Sequence, residues 1–106
     1  MTEIEKQIVG IISASGQSKM KSFEALRKLS IRDYDAARKL IKEATESDLE
    51  AHKIQTKLIT AEMSDTDEKS EMSLLMVHAQ DHYMTSQLAR DLIEEMINVF
   101  EGMEVK

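Results

Sequence analysis

The stretch His78-Ala79-Gln80-Asp81-His82 holds the chain's most suggestive chemistry. Two imidazoles stand four residues apart, with a carboxylate three places after the first, so on a helix all three occupy neighbouring positions. Three chemistries suit the pattern. A His-x-x-x-His pair can hold zinc, but Ala79 stands where a metalloprotease helix carries its Glu, and no third ligand is obvious. The histidines can instead be ordinary polar residues at the edge of a bundle. The third option makes His78 a nucleophile, since an imidazole that is neutral near physiological pH has a lone pair able to attack phosphorus. His82, Gln80 or a backbone carbonyl would then fix its tautomer by engaging the other ring nitrogen. Such a site needs no Gly-rich phosphate loop, and the chain has none. His52, in Ala51-His52-Lys53-Ile54-Gln55-Thr56, reads as part of a polar cluster bridging helices.

The elements that carry these groups are helical. The 106 residues contain no proline, and glycine occurs only at positions 10, 16 and 102, which removes most of the punctuation a sheet protein needs. A first helix is expected from about Thr2 to Leu29, with Ile4, Ile8, Ile11, Ile12, Phe23, Leu26 and Leu29 at steps of three and four. Gly16 inside it costs about 1 kcal/mol against Ala, so a close approach to the backbone is expected there. Asp33 is placed to cap a second helix from about Tyr34 to Met63, which presents Ala37, Leu40, Ile41, Ala44, Ala51, Leu58 and Ile59. Residues 64–71 contain no apolar side chain and form the expected connection. Asp65 and Glu68 resemble a capping box opening a third helix that runs to about Phe100. The expected fold is all-α, an antiparallel up-down-up three-helix bundle forming a single domain over residues 1–106.

On a helical wheel the third helix has two apolar stripes, separated by His78. Met72, Leu75, Met76, Ala79, Tyr83, Ile93 and Ile97 form the stripe that should face the rest of the chain. Leu74, Asp81, Leu88, Leu92 and Val99 form another, at the sevens and fours of a coiled-coil seam. One small bundle needs only one stripe, so a homo-oligomer is expected, with His78 at the lip of the cleft between neighbours. Asp81 within the seam has two readings. It can be a partly wet residue that sets register. If it lies on a symmetry axis, its copies converge, and a shared cation, protonation or ordered water must relieve their repulsion. Oxygen-only ligation favours a hard cation such as Mg2+ over zinc.

Composition narrows the partners. A net charge of −6 and the lack of a concentrated basic face argue against nucleic acid. Charge is uneven: residues 1–61 carry 11 basic and 9 acidic side chains, residues 62–106 carry 3 and 11. That asymmetry reads either as a solvated face or as an acidic surface that meets a basic partner. The absence of cysteine removes disulfides, thiolate metal sites and a Cys nucleophile. No apolar run approaches the roughly 18 residues of a membrane span and the first residues do not read as a signal peptide, so a cytoplasmic location is expected.

The string from Ser73 to Thr85, with its His78-Ala79-Gln80-Asp81-His82-Tyr83-Met84-Thr85 core, closely resembles the signature of a known family. These are the enzyme IIA components of the lactose/cellobiose and N,N'-diacetylchitobiose class of the bacterial phosphoenolpyruvate-dependent sugar phosphotransferase system. Ala51-His52-Lys53-Ile54-Gln55-Thr56 is similar to its second-helix motif, and Glu24-Ala25-Leu26 and Asp33-Tyr34-Asp35-Ala36-Ala37 fit the preceding turn. The likeness covers about residues 4 to 100. It implies a homotrimer in which the third helices surround the axis. His78 would accept a phosphoryl group from phospho-HPr and pass it to a cysteine of the cognate enzyme IIB, and through it serve the membrane enzyme IIC. Asp81 would be the metal ligand shared at the axis, with Gln80 and His82 supporting His78. One segment departs: Gly16-Gln17-Ser18-Lys19-Met20 stands where the family carries Gly-(Asp/Asn)-Ala-Arg-Ser. The competing expectations are a non-catalytic oligomeric adaptor and a zinc-dependent bundle enzyme.

Overall fold

The computed structural model describes residues 1–63 and 73–104. Among them are three long helices, α1 (Glu3–Lys28), α2 (Tyr34–Met63) and α3 (Leu74–Glu104), with a short 3-10 turn at Leu29–Ile31 and no strand. Each helix begins where a short polar side chain can satisfy a free backbone N–H. The Glu5 amide donates to Thr2 Oγ1 at 3.1 Å and the Thr2 amide to Glu5 Oε1 at 3.0 Å, closing a capping box at α1. The Ala36 amide donates to Asp33 Oδ1 at 3.1 Å, as the sequence predicts for α2. Ser73 does the same for α3, its Oγ accepting from the Met76 amide at 3.1 Å. The capping box expected at Asp65 and Glu68 lies outside the described residues. The turn between α1 and α2 closes through Arg32, whose φ of 57° puts it in the left-handed region.

α3 continues four residues past the expected end at Phe100. Ion pairs from the preceding elements hold that extra turn: Arg38 binds Glu101 and Arg32 binds Glu104 at 3.0 Å. Gly102 therefore sits inside the helix rather than ending it.

α1 packs against both other helices, which touch each other less. Along α2 the side chains that reach α3 come in falling order as the α3 numbers rise: Gln55 with Gln80, His52 with Tyr83, Asp48 with Ser86 and Arg90, Arg38 with Asn98. Two apolar clusters fill the bundle. One contains Ile8, Ile11, Ala51, Leu58, Met76, Ala79 and Tyr83; the other contains Ala25, Ala37, Ile41, Ile93 and Ile97. Each fully buried isoleucine is worth about 1.5–3 kcal/mol relative to leaving it in water.

Between the clusters the interior turns polar. Asp48 is 2% exposed and meets Arg90 Nη1 at 2.9 Å, while the buried Ser86 hydroxyl donates to Asp48 Oδ1 at 2.8 Å. From α1, Ser15, Ser18 and Ser22 enter the same level fully buried, and none of their hydroxyls has a hydrogen-bond partner.

The inner stripe of α3 packs as the wheel predicts: Met76, Ala79, Tyr83, Ile93 and Ile97 are buried, and Met72 lies outside the described residues. Three expectations from apolar spacing fail. Phe23 is 44% exposed because it falls on the outer side of α1, and Ile59 is likewise exposed on α2. Nothing lies within 4 Å of a Cβ built on Gly16, so no backbone approaches it; the close contact is at Gly10, 3.0 Å from Ile54 Cδ1.

Candidate functional site

His78 and His82 sit in the first three turns of α3, set there by the Ser73 cap and by Met76 and Ala79, which anchor that end of the helix in the core. The two rings meet edge to face, centroids 4.6 Å apart at 90°. His78 is exposed and, with Leu74 and Leu75, lines a shallow open depression of ≈ 430 Å³. His82 is half-buried, and its Nδ1 is shut from solvent without a hydrogen-bond partner. Its pKa is lowered below the ordinary histidine value, first by burial and then by the nearby charges of His78 and Lys19, against a smaller opposing pull from Asp81.

Gln80 points the other way. Its Oε1 accepts from Gln55 Nε2 of α2 at 2.6 Å, as two residues' rotation, about 200°, from His78 requires. Asp81 is exposed, and its carboxylate forms no ion pair among the described residues, while its backbone carbonyl accepts from Thr85 Oγ1 at 2.7 Å. Of the expected site residues, then, one chain brings together His78 and His82 and leaves Gln80 on the far side of α3.

No group of three or more His, Asp or Glu side chains gathers among the described residues, and in this respect nothing favours a zinc site within one chain. A hard cation on Asp81 would need the same carboxylate from further copies. A carboxylate oxygen is a donor of the hard kind such a cation takes, and Asp81 lies on an exposed row with Leu74 (86% exposed), Leu88 (66%), Leu92 (57%) and Val99 (57%), an apolar surface that the described residues leave uncovered.

His52 is the bridging residue its sequence context predicts. Its Nδ1 lies 3.1 Å from Tyr83 Oη, and Gln87 Nε2 donates to the same oxygen at 3.1 Å. The phenol accepts from Gln87, and the donor and acceptor roles in its bond to His52 Nδ1 follow the imidazole tautomer. Burial and the Asp48 charge push the Tyr83 phenol up, with Arg90 opposing. This cluster stiffens the α2–α3 seam one turn beyond the histidines.

Sequence reasoning passed over Lys19 and Thr85. Lys19 Nζ donates to Thr85 Oγ1 at 3.1 Å, bringing a cation from α1 to the helix face that holds His82. The signal was present in the Gly16–Met20 segment, where a basic residue persists although its neighbours differ from the family pattern.

The site is thus a surface-exposed imidazole beside an open apolar depression and a second imidazole with a free Nδ1, and among the described residues nothing encloses it. The model of the family described as PTS system, Lactose/Cellobiose specific IIA subunit matches residues 6–101, and the chain belongs to that family of sugar phosphotransferase-system components. It is 39% identical over 102 residues to the N,N'-diacetylchitobiose-specific EIIA component of Escherichia coli K12, covering 96% of this chain and 86% of that one. Its structure is similar to the crystal structure of the cellobiose-specific enzyme IIA from Bacillus anthracis, with a TM-score of 0.90, 34% identity and coverage of 100% and 95% of the two chains. It is also similar to a chain from the solution structures of the IIA(Chitobiose)–HPr complex of Escherichia coli, with a TM-score of 0.82, 37% identity and coverage of 99% and 100%.

Proposed function

We propose that His78 is the phosphoryl acceptor of this phosphotransferase-system component. The observation that supports it is the exposed imidazole edge-on to His82 above an open apolar depression. Nε2 of His78 attacks the phosphorus of phospho-HPr in line; the N–P bond forms as the bond to HPr breaks. A cysteine of enzyme IIB later takes the group by the same displacement, in support of sugar uptake through membrane enzyme IIC. The work is one of positioning and charge, so two docked surfaces suffice. The kinship with a chain solved in complex with HPr supports that donor.

The acting form in this reading is an up-down-up bundle, one domain over residues 1–106, assembled as a homotrimer in the cytoplasm. The order of the α2–α3 pairs supports the topology, and the uncovered row on α3 supports the assembly. Asp81 from each copy meets at the axis, where Mg2+ or another divalent cation would neutralise the convergent carboxylates. His82 orients the acceptor ring. Gln80, turned from its own His78, holds the α2–α3 seam, and in the trimer it serves the site only through a neighbour. No helix among the described residues is long and apolar enough to cross a membrane.

Incubation with phosphoenolpyruvate, enzyme I and HPr tests the assignment. Wild type should gain one acid-labile phosphoryl group per chain and His78→Ala none. Equal labelling of both would overturn it, and no label on either would favour a non-catalytic adaptor.

A further inference from the structure

Phosphorylating His78 places up to two negative charges on the surface of α3, and an anion there needs a cation that is not already neutralised. α3 offers only Arg90, which is bound to Asp48 at 2.9 Å and to Asp91 at 3.2 Å. Lys21, Arg32 and Arg38 are also paired with carboxylates. Lys19 differs. Half-buried on α1, it is held by a neutral oxygen, Thr85 Oγ1, and forms no ion pair among the described residues. Thr85 Oγ1 in turn donates to the Asp81 carbonyl at 2.7 Å, so the hydroxyl is fixed by α3 itself. Thr85 stands three residues after His82 on the same side of α3, and the His82 ring meets His78 edge to face.

We propose that Lys19, tethered by Thr85, is a positioning residue that supplies the unneutralised positive charge stabilising the phosphorylated state of His78. The inference rests on His78 being the acceptor. Thr85 lies seven residues from His78, about 10 Å along the helix, so Lys19 acts through its field and not by contact. At that distance, with an effective dielectric near 20 and physiological screening, a full charge shifts the equilibrium by about three- to tenfold.

The test is the equilibrium between purified phospho-HPr and the full chain, read as phosphorylated fraction, with thermal melts to show that each variant is folded. Lys19→Gln should lower the equilibrium constant about three- to tenfold, Lys19→Arg should stay within about twofold of wild type, and the Gln deficit should shrink in about 0.5 M salt. Thr85→Val, which releases the tether without touching the charge, should give an intermediate loss. A Lys19→Gln variant equal to wild type would overturn the proposal, as would an Arg variant as impaired as Gln or a deficit indifferent to salt. The failure of the underlying reading is separate: label persisting in His78→Ala removes the acceptor itself, whatever Lys19 does.

Discussion

Thr2 and Glu5 exchange two hydrogen bonds at the start of α1, and those bonds hold the Glu5 carboxyl below its ordinary pKa. The sign follows from linkage: a carboxylate with a lowered folded pKa adds stability above its unfolded pKa and loses it as pH falls through the folded value. The first turn of α1 should therefore fray on acidification through about pH 4.5 and below. A carboxyl titration of Glu5 by NMR should show the low pKa in wild type and its return toward the ordinary value in Thr2→Ala. An unchanged titration would exclude the capping box. Asp48 and Arg90 make a different kind of pair, buried and bonded, where removing one partner strands the other at a cost of about 3–5 kcal/mol. A variant near the site that loses activity by disturbing this pair says nothing about phosphoryl chemistry.

At the scale of the helix, Gly16 is exposed, lies inside α1 and meets nothing within 4 Å of a built Cβ. Gly16→Ala should add about 0.5–1 kcal/mol, a rise of several degrees in melting temperature, since only helix propensity changes. A fall would mean that another body occupies the space, as at an interface between copies. The three helices, the Asp33 cap and the inner stripe of α3 were readable because each depends on local spacing or a local bond. Phe23, Ile59 and Gly16 were misread because apolar type and glycine position do not state which way a residue faces. The partition of His78 and Gln80 to opposite sides of α3 follows from 100° per residue, yet their nearness in the sequence suggested a shared role. The contact of Lys19 with Thr85 was not legible for a plainer reason: the two residues are 66 apart in the sequence.

The whole molecule is a rod of 61 × 22 × 19 Å with its histidines toward one end of α3 and an uncovered apolar row along that helix. A lone chain of this shape exposes Leu88 and Leu92 to water; the proposed trimer would cover them. Leu88→Glu should leave the chain helical yet convert the assembly to monomer, measured by analytical ultracentrifugation. An unchanged sedimentation coefficient would place the contact elsewhere, and a monomeric wild type would remove the trimer altogether.

Ser15, Ser18 and Ser22 carry a last consequence. Their oxygens surrendered water on folding and received no bond in exchange, so what these three positions contribute is slimness, which lets α1 lie close to its neighbours. Anyone wishing to harden this scaffold would begin by subtracting atoms: alanine at those places keeps the narrow waist and discards three debts the present chain carries.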